Sequence, residues 1–393
     1  MILQILFWIS LFFLFHSYIL YPFILWIISR RKEINRLCYS RDDKLPEITV
    51  LMSAYNEEKV LREKVDTIFS TSYPTDRIHV SIGSDASTDR TNDILEELSR
   101  SIDGLSFYAF KERQGKANII NHLVEKSDTD ILVLTDANVL LEESTLFELI
   151  KHFRNPEIGL VDTNMINIGL EKKGISIQEK VYISLEVRIK NMEGRIWGTM
   201  MGPFGGCYAV RRDLYTSVPR NFLVDDFYIN MKILEKGKQT INDLEARVFE
   251  DVSNNLADEF KRKARIAAGN FQNLFTFLHL LCNPFSSIAF AFMSHKILRW
   301  FGPFLLLILF LANIFIRNAN GLYYYTFLIQ CVIFIIPLLD YLLRKIRIHI
   351  LILRFITHFL TMNLAIMYGF MRFIIGIKSN VWQPTRRDQA ETT

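Results

Sequence analysis

Apolar residues are distributed along this chain in blocks. Residues 2–28 contain no Asp, Glu, Lys or Arg, and "SRRK" follows at once. A helix of that length can cross a hydrocarbon layer of ~30 Å. A cleavable leader would need a basic start, a shorter apolar core and a small-residue cleavage site, and none is evident. Residues 45–260 carry charges throughout. From about residue 275 the chain turns apolar again, with candidate spans at 301–316, 322–343 and roughly 350–376. The last contains Arg354, His358, Asn363 and Arg372, which predicts an interfacial or re-entrant segment rather than a full crossing.

Between the apolar blocks, strand and helix patterns alternate. "EITVLMSAYNEE" opens with a β-branched run at 48–53 and ends in polar residues; a helix-favouring stretch follows at 57–70, then "SYP" as a breaker. "IHVSIGSDAS" is a second strand. "TDRTNDILEELSR" reads as a helix with acids in its first turn and Arg at its end. "SFYAF" predicts a third strand, 116–126 a helix and 131–135 a fourth strand. This alternation predicts an α/β domain with a mainly parallel sheet covered on both faces. Ligands of such sheets bind beyond the carboxyl ends of the strands. That rule selects Ala54–Glu58, Ser84–Ser87 and Thr135–Asn138. The turn after the first strand has no glycine and no P-loop lysine motif is present, so the familiar NAD and ATP sites are not expected.

Charge and composition sharpen the membrane reading. Half of the 393 residues are apolar and the net charge is +4. Arg30, Arg31 and Lys32 follow the first apolar block, and Arg344, Lys345 and Arg347 follow the third. The positive-inside rule then puts the central domain in the cytoplasm of an integral cell membrane protein. Attraction to anionic lipid explains these basic clusters, so no nucleic-acid partner is expected. A crossing at 350–376 would carry "WQPTRRDQ" to the outer side, against the same rule. Four scattered cysteines stay reduced in that compartment, and the eight histidines form no ligand-spaced pair. The expected organisation is an N-terminal transmembrane helix (1–29), a catalytic domain (45–275), an interfacial segment (276–300), a membrane domain of two or three spans (301–377) and a basic tail (378–393).

Five motifs come in order: "AYNEE", "SDASTDRT", "RQGKANIINHL", "TDAN" and "VDDFYINMKILEKG". Together they resemble the motifs of inverting family 2 glycosyltransferases with the GT-A fold, over residues 46 to 275. "SHKILRW" (294–300) also resembles membrane-bound members. The resemblance assigns Ala54, Tyr55, Glu57, Asp85 and Lys116 to the nucleotide pocket. The plain alternatives are a turn or helix cap for Asp85, a role for which Asp89 has the stronger claim, and a solvated lysine for Lys116. Asp136 and Asn138 match the metal motif, which normally has two acids; Mg²⁺ or Mn²⁺ there would offset diphosphate charge. Asp226 matches the catalytic base, with Asp225 as the alternate base; helix capping is the plain alternative. "PFGGCYAVRRDLY" (203–215) resembles the segment beneath the acceptor, or marks a tight turn.

Arg262 and Arg265 stand where membrane-bound members have a motif ending in Arg-Trp, and here Ile266 replaces the Trp. The arginines would hold diphosphate or acceptor through forked hydrogen bonds, on a helix that also reads as basic and amphipathic. The loss of Trp argues against polymer extrusion. The expected function is a membrane-anchored inverting glycosyltransferase. It would take a sugar from a nucleotide-sugar donor, a UDP-sugar by expectation, to a glycan or lipid-linked acceptor for surface or exported polysaccharide. Membrane lipid and polysaccharide export proteins are the expected partners. A processive synthase of the same family is the alternative, and a non-catalytic scaffold with a degenerate domain is the reading from another class.

Overall fold

The computed structural model describes residues 1–168, 175–251 and 255–377. The expected basic tail (378–393) lies outside the described residues. The chain forms two compact units. One gathers Met1–Ile27, Leu170–Val181 and Ser253–Gly376; the other gathers Ile28–Gly169, Tyr182–Val252 and Ile377–Thr393.

The second unit is built on one mixed sheet. Its strands are β1 (Ile48–Ala54), β2 (Ile78–Asp85), β3 (Leu105–Phe110), β4 (Ile131–Asp136), β5 (Val139–Leu141), β6 (Ile158–Ile168), β7 (Cys207–Arg211) and β8 (Gln239–Asp251). The order across the sheet is β3-β2-β1-β4-β7-β6-β8-β5. β3, β2, β1 and β4 run parallel, as the alternation predicts. β7 is antiparallel to both β4 and β6, and β5 is antiparallel to β8. Buried Ile48, Val50 and Met52 of β1 pack in one core with Val80 and Ile82 of β2 and Val133 of β4.

Topology places the site. The chain runs β1, β2, β3 outward on one side, then crosses to β4 on the other side of β1. The reversal opens a crevice at the carboxyl ends of the strands. There Ser53 of β1 stands opposite Asp136 of β4, and Ala54 stands opposite Ser84, one residue before Asp85. The helix expected at 57–70 forms only over Leu61–Phe69. Its first residues are held by the next loop instead: Asn56 has φ +55°, and its side-chain oxygen accepts from Thr88 N at 2.8 Å.

The other unit is helical. Among the described residues, three helices are long and apolar enough to cross a membrane: Ile2–Ser29, Gly321–Lys345 and Leu351–Ile375. The span expected at 301–316 corresponds to a short helix. Helix Gly302–Ile316 has 15 residues and rises only ~22 Å. It meets that length only as the second arm of a pair, bent by 62° from Ser287–Trp300.

Leu351–Ile375 is one continuous helix of 25 residues, so it lacks the break a re-entrant segment requires. Its Arg354, Thr357, His358 and Asn363 are buried, whereas Leu351, Ile352, Leu364 and Ile375 are exposed. Its polar groups thus face the other helices of the unit, and the helix is long and apolar enough to cross a membrane. Gly369 permits close packing on helix Leu256–Thr276: a Cβ there would stand 2.5 Å from the Ala264 carbonyl oxygen.

Candidate active site

Asp85 ends β2 in a buried position, and its two oxygens shape the next motif. Oδ1 accepts from Gln114 N at 2.5 Å; Oδ2 accepts from Gly115 N at 3.0 Å and Arg113 Nε at 3.1 Å. The Arg113 guanidinium also lies 3.3 Å from the Tyr55 ring centre, a cation–π contact that ties the first motif to the third. Ala54 is buried beneath them, and Glu57 N donates to Thr91 Oγ1 at 2.9 Å. Asp89 takes the plain role expected of it, accepting from Thr91 N at 3.0 Å as helix Thr91–Ser101 begins.

Gly115 (φ +81°) turns the chain into helix Lys116–Glu125 and directs Lys116 across the crevice. The Lys116 ammonium bonds Asp136 Oδ1 at 2.6 Å and the Gly205 carbonyl at 3.4 Å. Burial alone would lower its pKa. Asp136, Asp225 and Asp226 outweigh that and raise it, so the lysine stays charged. Two residues beyond Asp136, the Asn138 amide nitrogen donates to Glu250 Oε1 on β8 at 3.3 Å.

Asp225 and Asp226 open helix Asp225–Glu235. Asp226 is nine-tenths buried, and its Oδ1 accepts from Phe227 N at 2.8 Å. Burial first, then the Asp225 charge, push its pKa up to about 7, against the opposing pull of Lys116. Asp225 Oδ2 and the Tyr208 hydroxyl are buried with no hydrogen-bond partner among the described residues. Burial and the two aspartates keep the Tyr208 phenol protonated.

The glycines of "GPFGG" serve more than a tight turn. Gly205 has φ +80°, and a Cβ on it would stand 2.7 Å from Asp226 Oδ2. Gly202 has φ +78°, and a Cβ there would run into the Phe227 ring. The segment therefore lies directly against Asp226 and Phe227.

Sequence reasoning missed Lys64. It is fully buried, donates to Thr135 Oγ1 at 2.8 Å and bonds the Val139 carbonyl, so it brackets the Asp136–Asn138 turn. Burial lowers its pKa to about 8. The signal was available: Lys64 shares the inward face of its helix with Leu61, Val65 and Ile68. Glu250 and Tyr208 were missed too, because only the folded sheet brings them to the motifs.

Among the described residues, no cluster of three or more His, Cys, Asp and Glu side chains is placed to hold a metal ion. The donor set at the end of β4 still fits one. Asp136 is a third exposed, and the Asn138 amide oxygen accepts no hydrogen bond among the described residues. Mg²⁺ commonly takes one or two protein carboxylates and fills its shell with phosphate oxygens and water.

Arg262 and Arg265 belong to the helical unit, on Leu256–Thr276. Arg262 bonds Glu259 at 2.8 Å and the buried Glu179 at 2.9 Å. His358 of helix Leu351–Ile375 stands 3.5 Å from the same Glu179 carboxylate.

Residues 49–218 match the family model described as glycosyl transferase family 2. Residues 49–218 are a family 2 glycosyltransferase domain. The chain is 31% identical over 117 residues to a probable glycosyltransferase, YdaM, of Bacillus subtilis (strain 168), across 29% of this chain and 28% of that protein. It is 26% identical over 164 residues to the poly-beta-1,6-N-acetyl-D-glucosamine synthase of Staphylococcus epidermidis, across 38% and 39%. The matches thus span less than two-fifths of these relatives' length. Among solved structures, the mannosyltransferase PcManGT from Pyrobaculum calidifontis, in complex with GDP-Man and Mn²⁺, superposes with a TM-score of 0.69 at 20% identity. The match covers 94% of this chain and 99% of that one. At that identity it supports the GT-A fold alone.

Proposed function

We propose that this protein is a membrane-anchored inverting glycosyltransferase, moving a sugar from a nucleotide-sugar to a glycan or lipid-linked acceptor. The observation that carries the reading is Asp226: a buried carboxylate backed by Gly205, paired with Asp225, and close enough to Lys116 to share its charge. A carboxylate with its pKa near 7 is matched to proton abstraction at neutral pH. Asp226 takes the proton of the acceptor hydroxyl as that oxygen bonds the anomeric carbon. The glycosidic bond to the diphosphate breaks on the opposite face, and the single displacement inverts the configuration.

Arg113, stacked on Tyr55 and held by Asp85, frames the nucleotide pocket with Ala54 and Glu57. Lys116 presents positive charge to the diphosphate. A divalent cation held by Asp136 and Asn138 would supply the remaining charge on the leaving group. Arg262 and Arg265 remain candidates for diphosphate or acceptor contact. A UDP-sugar stays the expected donor. The anchor reading rests on the three apolar helices, and a cytoplasmic catalytic domain rests on the basic runs at 30–32 and 344–347.

A second reading is favoured by the relatives named as polymer synthases: processive synthesis of a polysaccharide. Ile266 in place of the motif Trp weighs against it. The test is a screen of nucleotide sugars with the full chain in detergent, following nucleoside diphosphate release with and without Mn²⁺ and sizing the product. Limited addition predicts short products, and a long polymer would favour the second reading.

A further inference from the structure

The metal motif has an amide where an acid is expected, and the cross-strand partner of that turn carries a carboxylate. β5 pairs with β8 so that Val139 stands opposite Glu250. This brings Glu250 beside Asn138, 112 residues away in sequence, and Asn138 Nδ2 donates to Glu250 Oε1 at 3.3 Å. The direction of that bond carries information. An ionised carboxylate only accepts, so the amide must turn its NH₂ towards Glu250 and its carbonyl oxygen away. The two ends of an amide are similar in size but opposite in hydrogen-bonding character, so the partner at one end decides which end faces the other way. Without a fixed acceptor, the amide could equally present NH₂ to an incoming cation, which would repel it.

We infer that Glu250 is a positioning residue for the metal-assisted reaction: its carboxylate locks the Asn138 amide with Oδ1 presented as the neutral second ligand beside Asp136. The inference rests on the proposed metal role of Asp136 and Asn138 and adds a residue that no motif of the sequence marks. It also accounts for an Asn at this place. Two carboxylates at 138 and 250 would repel at hydrogen-bond distance, whereas an amide and a carboxylate bind. Negative charge is thereby kept one shell outside the ion, where partners of ligands commonly lie.

The test uses the full chain in detergent and Mn²⁺ electron paramagnetic resonance, in the presence of UDP and, separately, GDP. Wild-type protein is compared with Glu250→Ala and Glu250→Gln. Loss of an outer-shell partner costs about 10- to 100-fold in metal affinity. Glu250→Ala should therefore weaken Mn²⁺ binding to the nucleotide complex by about tenfold or more. Glu250→Gln, whose own amide oxygen can accept from Asn138, should stay within about threefold of wild type. Nucleotide binding without metal and the melting temperature report that each variant is folded.

Unchanged Mn²⁺ affinity in Glu250→Ala overturns the inference and leaves the proposed function standing. Equal loss in both variants also overturns it, since charge rather than amide orientation would then be what matters. A wild-type protein that binds no Mn²⁺ with either nucleotide removes the metal role itself.

Discussion

The Lys116 ammonium lies 2.6 Å from Asp136 Oδ1, so the charged residue of the metal motif already holds a cation that belongs to the chain. In the nucleotide-free protein a divalent ion must compete with that lysine, and Asn138 adds no charge to help it. Mn²⁺ binding without nucleotide should therefore be weak, and Lys116→Met should strengthen it. The same variant should bind nucleoside diphosphate about tenfold or more weakly, because one charge-assisted contact is lost. Titration calorimetry with Mn²⁺ alone, then with UDP, separates the two effects. Weaker Mn²⁺ binding in Lys116→Met would contradict the competition.

Asp226 sets a pH dependence whose sign can be worked out. Its pKa is raised from the ordinary carboxyl range to about 7. Between about pH 4 and 7 the native protein therefore binds more protons at this residue than the unfolded chain does. The slope of stability against pH is then negative, and stability falls as pH rises through that window. Asp226→Asn removes the fall. It should melt higher than wild type at pH 8, with the gain shrinking towards pH 5. A gain that stays constant with pH would contradict the assigned shift. Activity should run the other way, rising with pH towards about 7 as the base ionises.

Gly205→Ala should cost activity beyond its cost in stability. The position has φ +80°, and the added Cβ would press on Asp226 Oδ2. Strain of this kind costs about 1–3 kcal/mol, and displacement of the carboxylate lowers kcat further. Gly237→Ala is the control: its φ is +76°, but nothing lies within 4 Å of the added atom. Comparison of kcat and melting temperature for the two checks this; equal kcat would contradict it.

Lys64→Met leaves Thr135 Oγ1 and the Val139 carbonyl without their ammonium donor, a loss of about 1–3 kcal/mol for an unsatisfied buried group. Lys64 has its pKa lowered to about 8 by burial. Between about pH 8 and 10.5 the unfolded chain therefore binds more protons at this residue, and wild-type stability rises with pH there. Relative to wild type, Lys64→Met should lose further ground across that window. Melting temperatures at pH 7.5 and 9.5 check this, and an equal gap at both would contradict it.

The parallel half of the sheet was legible because each strand there is a short apolar run ending in a polar turn, and local pattern fixes such elements. The three turns selected by the strand-end rule stand side by side at the carboxyl ends of β2, β1 and β4. What the sequence hid depends on contacts across long separations. β7 inserts antiparallel between β4 and β6, and this seats Gly205 against Asp226 and brings the Gly206 carbonyl to Asp136 N. Glu250 reaches Asn138 only through the pairing of β5 with β8. The helix at 351–375 depends on long-range contacts too. Arg354, His358 and Asn363 read as polar interruptions, but in the fold they are buried while apolar residues of the same helix are exposed, and His358 stands 3.5 Å from Glu179 of another helix.

The central claim is that Asp226 is the base of a nucleotide-sugar-dependent transfer. Its most direct test measures nucleoside diphosphate release from the best donor of the screen by wild-type protein and by Asp226→Asn, alongside donor binding by both. The account predicts a kcat reduced by about 10²- to 10⁴-fold in the variant, with donor affinity kept within a few fold. Release by Asp226→Asn at the wild-type rate would contradict it.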